Sequence, residues 1–349
     1  MESIKEKVCS FGSLYKALKS CKRGVMWKDS VAGFYKNGLV NCYQLERDLM
    51  NNTYKLQKYI IFNVYEPKKR EIVSTRIRDR VFQRSLCDNY FEEQMQKSFI
   101  YDNCACQKGK GTSFARKRLR YHMQKHFRKH GLTGYVLKCD VKDFFGSTSH
   151  VTAYKAVCKR VPDPWVRERV KEIIDSFNHG PNPNVGMGLG SQVTQIIQLA
   201  VLDDLDHFIK EILRINHYVR YMDDFILIHE DKEYLKKCKV EIEKELNMLG
   251  LRLSVKKTQL FPITQPIKFL GFSYNLTETG KVVIRLLKNK VSHERRKLLK
   301  QVRLAKSGVL TRFKVDQCFQ SWKSHASFGD NYITVNKMKT YYNHLWEVS

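Results

Sequence analysis

The sequence predicts an α+β fold made of two or three subdomains. With 349 residues, of which 42% are hydrophobic, the chain is long enough to bury a substantial core. Runs rich in β-branched and aromatic residues and bounded by Pro, Gly or charges indicate strands, whereas apolar residues at four-residue spacing indicate helices. Two apolar strands flank an acidic pair at residues 223–224, which predicts an antiparallel hairpin with that pair at its tip.

The charge of the chain indicates a polyanionic partner. Lys and Arg number 63 against 35 Asp and Glu, a net charge of +28, and nucleic acid is the first polyanion to consider. The alternatives are a basic protein built for solubility or for a membrane surface. The ten cysteines form no Cys-x-x-Cys pair, which argues against structural zinc. No apolar stretch reaches the length of a membrane span, so we expect a cytoplasmic protein with reduced thiols and no membrane partner.

The first hundred residues predict short helices followed by a basic hairpin. Residues 1–60 have the pattern of short helices with polar breaks, and Tyr59 to Tyr65 is predicted to be a strand. The Pro-containing charged stretch 66–71 predicts a turn, after which a strand resumes at 72–74. A helix then runs from about Arg78 towards residue 97.

The segment from Asn103 to Cys139 predicts a basic amphipathic helix and a strand. It holds ten Lys or Arg and no acid, and its apolar residues recur every four positions, at Ala115, Leu119, Met123 and Phe127. We interpret it as a helix that follows phosphates, the alternative being a solvated surface helix. The strand 134–140 follows, and after it a loop and a helix through about residue 161.

The remaining elements surround the acidic hairpin. Residues 181–190 form a loop rich in Gly and Pro, and a long apolar helix is predicted at 195–212. The hairpin strands are 217–220 and 225–229. After them we predict a helix at 231–248, a strand near 251–255, a short apolar segment at 267–272 and, from Val283 to Lys323, basic helices.

Three aspartates lie at predicted positions that nucleotidyl transfer could use. Chemistry with two metal ions needs carboxylates that hold a pair of Mg²⁺ about 4 Å apart. Asp223 and Asp224 lie at the tip of the predicted hairpin. Asp140 is the last residue of another predicted apolar strand and can supply the third carboxylate. Each piece alone has an ordinary explanation, because Asp-Asp pairs occur by chance, as at Asp203-Asp204, and an Asp after a strand is a common helix cap.

In order and context these residues resemble the reverse transcriptase family, over about residues 60 to 325. Asp140-Val-Lys-Asp-Phe-Phe145 is similar to the first catalytic block of that family, and Tyr221-Met-Asp-Asp224 to its most diagnostic tetrapeptide. The resemblance implies that Asp140, Asp223, Asp224 and the Val141 carbonyl hold two Mg²⁺ ions. It also implies that Phe145 is the steric gate that rejects a ribose 2′-hydroxyl.

Supporting blocks follow in the order of the family. Four basic residues resemble those that clamp the incoming triphosphate: Lys69, Arg70, Arg78 and Arg80. Lys257 resembles a lysine that lies near the leaving pyrophosphate. Phe269, Leu270 and Gly271 resemble the primer grip, the hairpin that holds the 3′ end of the primer. In isolation, solvated charge and buried aromatic residues would be the simpler explanation. The resemblance implies a right-hand polymerase with fingers and an N-terminal segment at 1–135, a palm with interleaved fingers elements at 136–282 and a short helical thumb at 283–349.

One block departs from the usual pattern of the family, in which Gln-Gly is followed three residues later by Ser-Pro. Here it is Leu189-Gly-Ser-Gln-Val-Thr-Gln195, so that Leu189, Gly190 and Gln195 occupy substrate-binding positions. This variant, together with residues 101–112 and 321–326, resembles the reverse transcriptases of diversity-generating retroelements of bacteria and phages. That resemblance implies copying of a template RNA with errors at adenines, through an RNA/DNA hybrid and from deoxynucleoside triphosphates, with a small, basic, oligomeric accessory protein.

Other functions remain open. The chain could be a retron-type, intron-derived or antiphage reverse transcriptase. An RNA-dependent RNA polymerase would share the chemistry, but Tyr221-Met-Asp-Asp224 and the bulky Phe145 favour deoxynucleotides. An RNA-binding scaffold that had lost the chemistry would not need all three carboxylates.

Overall fold

A computed structural model describes residues 3–65, 69–178 and 182–347, apart from the side chain of Arg70. The first helices are α1 (Ile4–Cys9), α2 (Phe11–Cys21), α3 (Asp29–Lys36) and α4 (Gly38–Met50), as the pattern of residues 1–60 predicts. Ser3 caps α1 with a capping box, in which its hydroxyl accepts from the Glu6 N–H while the Glu6 carboxylate accepts from the Ser3 N–H. The predicted turn at 66–71 lies in part outside the described residues.

The basic hairpin and the helix after it form as predicted. Strands β1 (Ile60–Val64) and β2 (Arg70–Ser74) pair in antiparallel register, with Ile60 opposite Ser74. They lead to α5 (Ile77–Leu86), a π-helical turn at Cys87–Phe91 and α6 (Glu92–Gln96). The basic helix is α7 (Thr112–His130), which buries Ala115, Leu119 and Met123.

The centre of the chain alternates helices with strands. In order come β3 (Tyr135–Asp140), α8 (Phe144–Ser147), α9 (His150–Cys158), α10 (Pro164–Asp175), α11 (Gln192–Val201), α12 (Asp203–His207), a π-helical turn (Phe208–Ile212), β4 (His217–Tyr221), β5 (Asp224–His229) and α13 (Lys232–Met248). The helix predicted at 195–212 is therefore three shorter helical pieces. Strands β3, β4 and β5 join β6 (Gln259–Pro262) in a sheet of order β4-β5-β3-β6.

The C-terminal part begins with a second sheet and ends in helices. Strands β7 (Ile267–Phe269), β8 (Phe272–Leu276) and β9 (Val282–Leu286) form an antiparallel sheet in that order. Helices α14 (Lys288–Lys306), α15 (Arg312–Ala326) and α16 (Tyr332–Glu347) follow. They pack around a core of Leu298, Val302, Val315, Phe319, Met338 and Tyr342.

Two sequence predictions were wrong at this level. The strand near 251–255 is only an isolated bridge between Leu253 and Val141, because the chain turns at once and leaves Val255 92% exposed. The helical stretch predicted from Val283 begins with β9. The side chains of β9 alternate between buried and more exposed positions, which is the period of a strand, and its β-branched residues favour that conformation.

The chain divides into two compact units. Unit 1 comprises residues 1–111, 138–226 and 237–258, and unit 2 comprises residues 112–137, 227–236 and 259–349. Within unit 1, α2 packs against α4 and α5, and α9 packs against α10 and α11. No helix of the described chain is long and apolar enough to cross a membrane. None of the ten cysteines, all of which are in the described ranges, forms a disulfide.

Candidate active site

The hairpin between β4 and β5 carries the two adjacent aspartates. Its strands are buried at their centres, by apolar residues in β5 and by Tyr218, Val219 and Arg220 in β4. The turn is tight because Met222 adopts a left-handed conformation with φ of 56°. Asp223 follows Met222 in this turn, and Asp224 is the first residue of β5. Both carboxylates are therefore fixed to a turn whose flanking strands belong to the core.

Asp140 lies beside that turn. It is the last residue of β3, and the N–H of the next residue, Val141, donates to the Asp223 carbonyl at 3.1 Å. The Ser254 N–H donates to the Asp140 carbonyl at 2.7 Å. Backbone hydrogen bonds thus hold three separate segments at one place, and these segments carry Asp140, the Asp223-Asp224 pair and Lys257.

Lys257 forms an ion pair with Asp140. Its ammonium nitrogen lies 2.6 Å from Oδ1 and 2.8 Å from Oδ2 of that carboxylate. The Lys257 side chain is 54% exposed and that of Asp140 only 10%. The lysine can therefore move away into solvent more easily than the carboxylate can, and its role near a leaving pyrophosphate stays a prediction.

Asp224 is a largely buried carboxylate with a raised pKa. Burial raises its pKa to about 6, the negative charges of Asp140 and Asp223 act in the same direction, and Lys138 opposes them. Its Oδ2 lies 3.3 Å from the Lys138 ammonium, whereas its buried Oδ1 has no hydrogen-bond partner in the described chain. An unsatisfied buried carboxylate oxygen among neighbouring negative charges suits a cation.

The donor set fits Mg²⁺ in kind. Carboxylate and carbonyl oxygens are the ligands that this ion prefers, and the Oδ1 atom of Asp224 is a buried oxygen without a partner. Within the described ranges, however, no three His, Cys, Asp or Glu side chains are arranged to hold a metal ion. The Asp140 carboxylate instead binds the Lys257 ammonium, which would have to give way to a bound cation.

A fully buried ion pair between Arg220 and Asp206 holds the turn of the hairpin. The guanidinium of Arg220 donates from Nε to Oδ1 of Asp206 at 2.6 Å, and from Nη1 to the Met222 carbonyl at 3.0 Å. Tyr218 donates its hydroxyl hydrogen to the same Asp206 oxygen at 2.6 Å. Sequence reasoning missed this pair. The available signal was an arginine two residues after Tyr218, on the same face of a strand with buried residues at its centre.

A cavity of about 810 Å³ in unit 1 collects several of the residues predicted to bind the nucleotide. Lys69, Phe145 and Leu189 line it together with Asp143 and the glycine-rich loop 186–188. The Met187 N–H donates to the Phe145 carbonyl at 2.7 Å, which ties the loop to α8. The volume falls in the range of small-molecule and cofactor sites.

Three residues that follow Leu189, namely Gly190, Thr194 and Gln195, make different contacts. A side chain added at Gly190, whose φ is +128°, would come within 3.2 Å of the Val73 carbonyl oxygen, so this position requires glycine. Gln195 accepts a hydrogen bond from the Cys106 thiol at 3.5 Å. Thr194 caps the loop by donating to the Gly188 carbonyl at 2.9 Å.

The basic residues predicted to clamp a triphosphate are not in one place. Lys69 lines the 810 Å³ cavity. Arg78 donates to the Asp48 carboxylate at 2.7 Å and stacks over the Tyr54 ring. Arg78 and Arg80 line another cavity together, of about 640 Å³, and Arg80 also lines one of about 350 Å³. The side chain of Arg70 lies outside the described residues.

The predicted primer grip belongs to unit 2 and forms a tight hairpin. Phe269 pairs with Phe272 across β7 and β8, and the two linking residues, Leu270 and Gly271, have φ of 45° and 86°. Two successive left-handed residues are the pattern of a type I′ turn. Arg116 donates to the Leu270 carbonyl at 2.9 Å and lies over the Phe272 ring.

Comparison with known protein families identifies the chain. Residues 66–274, well over half of its length, match the family model of the reverse transcriptase (RNA-dependent DNA polymerase). The chain belongs to the reverse transcriptase family. The matched range includes Asp140, the Asp223-Asp224 pair and Lys257, and the family resemblance derived from the sequence is confirmed.

Solved structures similar to this reverse transcriptase include two telomerases. Telomerase from Candida albicans, solved in complex with a fragment of telomeric RNA, is 14% identical, with a TM-score of 0.50, and the match covers 82% of this chain and 55% of that one. Apo telomerase from Candida tropicalis, truncated from its C-terminal domain, is 15% identical with a TM-score of 0.49 over 64% of this chain and 54% of that one.

The match to the Candida albicans telomerase shows the fold and no more. The reverse transcriptase spans about half the length of the telomerase chains it matches. No curated protein sequence matches it. The mixed helix and antiparallel-sheet fold of a polymerase, predicted from the sequence, is confirmed.

Proposed function

We propose that the protein copies an RNA template into DNA, using Asp140, Asp223 and Asp224 as the acidic residues of its active centre. The observation that carries this proposal is the hydrogen bond from the Val141 N–H to the Asp223 carbonyl. It joins the end of β3 to the acidic turn, within the range that matches the reverse transcriptase family. Carboxylates brought together in this way are what nucleotidyl transfer by two metal ions requires.

The proposed cofactor is a pair of Mg²⁺ ions, held by the three aspartates and the Val141 carbonyl. The ions would lower the pKa of the attacking 3′-hydroxyl and hold the leaving phosphates. The protein's own groups bind and orient the substrates. The Phe145 ring, in the wall of the 810 Å³ cavity, would exclude the 2′-hydroxyl of a ribonucleotide, and Lys69 in the same wall would contact the triphosphate.

Primer extension on an RNA template with Mg²⁺ tests this proposal. Asp223→Ala should abolish extension, because it removes an oxygen ligand from the centre. The matched control is Asp204→Ala, which alters the other Asp-Asp pair of the chain; Asp204 is 57% exposed and pairs with Lys159. If the wild type extends the primer no more than Asp223→Ala and neither exceeds background, only an RNA-binding role remains.

We further propose that synthesis is error-prone at template adenines, as in diversity-generating retroelements. Leu189 lines the 810 Å³ cavity, where the usual glutamine of the family could hydrogen-bond to the incoming nucleotide and leucine cannot. A lost neutral hydrogen bond is worth about 0.5–1.5 kcal/mol. Mispairing becomes several-fold easier if the correct pair loses more of this stabilisation than the wrong pair does.

Sequencing complementary DNA made by Leu189→Gln tests the fidelity proposal. We expect several-fold fewer errors at template adenines, with Leu189→Met as the control that keeps an apolar side chain. An unchanged error rate at adenines in Leu189→Gln would contradict the role of Leu189. A retron-type, intron-derived or antiphage enzyme is the alternative, and a repeated segment differing at adenines in the neighbouring DNA would favour the retroelement type.

The remaining partners are proposals from the same resemblance. Template RNA and the RNA/DNA hybrid would bind through phosphates, as the net charge of +28 favours. Deoxynucleoside triphosphates are the proposed substrates, and a small, basic, oligomeric accessory protein is the proposed partner. Because both proteins would be basic, RNA would bridge them.

A further inference from the structure

Arg116 is a cation of the basic helix α7 that lies inside the protein. It is only 5% exposed, whereas Lys117 and Arg120 on the same helix are exposed. Its guanidinium lies over two aromatic rings of unit 2, 4.4 Å from the centroid of Phe272 and 5.1 Å from that of Phe328. Cation–π contacts are strongest where the cation is removed from water. This arginine is therefore placed for contacts within the protein and not for a phosphate at the surface.

The hydrogen bond from Arg116 falls on the turn between β7 and β8. Its Nη2 donates to the Leu270 carbonyl at 2.9 Å. Leu270 has a φ of 45°, a left-handed conformation that is unfavourable for residues other than glycine. The carbonyl of the next residue, Gly271, accepts from the Leu287 N–H at 3.4 Å. A strained turn is thus supported by contacts from outside its hairpin, and the shorter of these two comes from Arg116.

The two aromatic rings connect this turn to the end of helix α15. Phe272 follows the turn directly, and Phe328 lies two residues after α15. Their rings meet edge to face, with centroids 5.4 Å apart. The ring of His325, near the end of α15, lies 5.2 Å from that of Phe272. His325 belongs to the segment 321–326, which resembles diversity-generating retroelements but has had no role so far.

The loop between α15 and α16 is fixed to the same sheet by hydrogen bonds to β9. The Asp330 N–H donates to the Ile284 carbonyl at 2.7 Å, and the Asp330 carboxylate accepts from the Ile284 N–H at 2.9 Å. Oδ1 of Asn331 accepts from the Leu286 N–H at 2.8 Å. The Phe328 ring is therefore carried by a segment with a fixed place on the sheet.

We propose that Arg116 is a positioning residue for the 3′ end of the primer, because it holds the Leu270-Gly271 turn in one place relative to α15. This inference rests on the proposed copying of RNA, in which the turn is the primer grip. Lysine cannot replace the arginine in this role. A planar guanidinium stacks on rings and donates a directed hydrogen bond at the same time, whereas an ammonium is a compact, strongly hydrated charge.

Single-turnover primer extension on an RNA template, at saturating enzyme, measures the rate of nucleotide addition separately from binding. Arg116→Lys keeps the charge and loses the planar stack. It should lower this rate about tenfold, while the KM for deoxynucleoside triphosphates and the affinity for the primer–template change little. Arg169→Lys is the matched control, since it makes the same change at a buried arginine of α10 that pairs with Glu172 at 2.9 Å. It should lower stability in urea without lowering the rate.

A double-mutant cycle tests whether Arg116 acts through the turn. Leu270→Asn gives the turn the Asn-Gly sequence that favours type I′ geometry, so that the turn needs less support from outside. In that background Arg116→Lys should slow nucleotide addition less, and the cycle removes any effect of Leu270→Asn alone. Phe328→Leu is the second variant, in case Arg116→Lys folds poorly. It removes a ring that holds the guanidinium, and Leu270→Asn should reduce its effect in the same way.

Three outcomes would overturn the proposal. If Arg116→Lys and Arg169→Lys lower the rate equally, the loss reflects stability alone. If Arg116→Lys slows addition equally with and without Leu270→Asn, the arginine does not act through the turn. If a higher KM for deoxynucleoside triphosphates accounts for the whole loss, the arginine serves the nucleotide and not the primer.

The wild type separates this inference from the function on which it rests. No extension by the wild type would refute the copying of RNA and the primer role of Arg116 with it. An active wild type without coupling in the cycle would refute the role of Arg116 alone.

Discussion

Replacing Asp206 by asparagine should lower both the stability of the protein and the activity that depends on its acidic turn. Asp206 and Arg220 are both fully buried, and Arg220 also donates to the Met222 carbonyl at 3.0 Å and to the Leu199 carbonyl at 3.1 Å. The substituted asparagine would keep the size of the side chain and an oxygen for the Tyr218 hydroxyl. The arginine, however, would remain buried without a counter-charge.

The expected loss of stability is large. Removing one partner of a buried ion pair costs about 3–5 kcal/mol, against a total stability of about 5–15 kcal/mol for a typical domain. Urea unfolding followed by circular dichroism measures this loss as a shift of the midpoint. Primer extension, run well below that midpoint, should show in addition a reduced kcat, because an unpaired Arg220 no longer fixes the turn that carries Asp223.

A matched variant separates the two effects. Asp203→Asn removes the charge of another buried pair on α12, in which Asp203 lies 2.7 Å from Arg160. Because Arg160 keeps Asp204 at 3.3 Å, this variant should lose less stability and show little change in kcat. The double variant Arg220→Met with Asp206→Leu should regain stability, since apolar residues often replace buried ion pairs without loss, but not kcat. A loss below about 1 kcal/mol for Asp206→Asn, or an equal fall in kcat for Asp203→Asn, would refute this reasoning.

Two further predictions concern pH and packing. Because burial raises the pKa of Asp224 from its ordinary value of 3.8 to about 6, the folded state binds a proton more tightly than the unfolded state. Metal-free stability should therefore fall by about 2 kcal/mol as pH rises from 4 to 7. Asp224→Asn should lack this slope, and an equal slope in both proteins would exclude Asp224 as its source. Gly188→Ala would place a Cβ atom 2.2 Å from the Phe177 ring and should destabilise the protein by about 1–3 kcal/mol, measured by urea unfolding. Gly12→Ala is the control on helix α2, where a Cβ atom has no neighbour within 4 Å, and it should leave stability unchanged or raise it. Equal urea midpoints for the two variants would contradict the clash.

Local patterns predicted the part of the site that local structure builds. The β4–β5 hairpin follows from two apolar strands around a polar turn, and Asp140 follows from its place at the end of an apolar strand. The family resemblance then supplied the order of the blocks. These elements depend on residues close in sequence, so they can be predicted from a single sequence.

Contacts between distant residues could not be predicted in this way. Asp206 and Arg220 lie on different elements, and nothing in the sequence shows that their side chains meet. The same holds for Lys257 and Asp140, 117 residues apart. The strand predicted near Leu253 does not form. The chain there makes two backbone hydrogen bonds, one with Asp140 at the end of β3 and one with Lys142 just after it, and then turns. This turn overrides the strand propensity of the residues.

The pairing of Lys257 with Asp140 and of Lys138 with Asp224 has a consequence for assembly of the centre. The Asp140 and Asp224 side chains each lie beside a lysine, which offsets part of the mutual repulsion before any divalent ion arrives. Folding then does not have to wait for a metal, unlike a structural zinc site, in which binding and folding are one event. Chelation should silence the enzyme reversibly and leave its architecture intact.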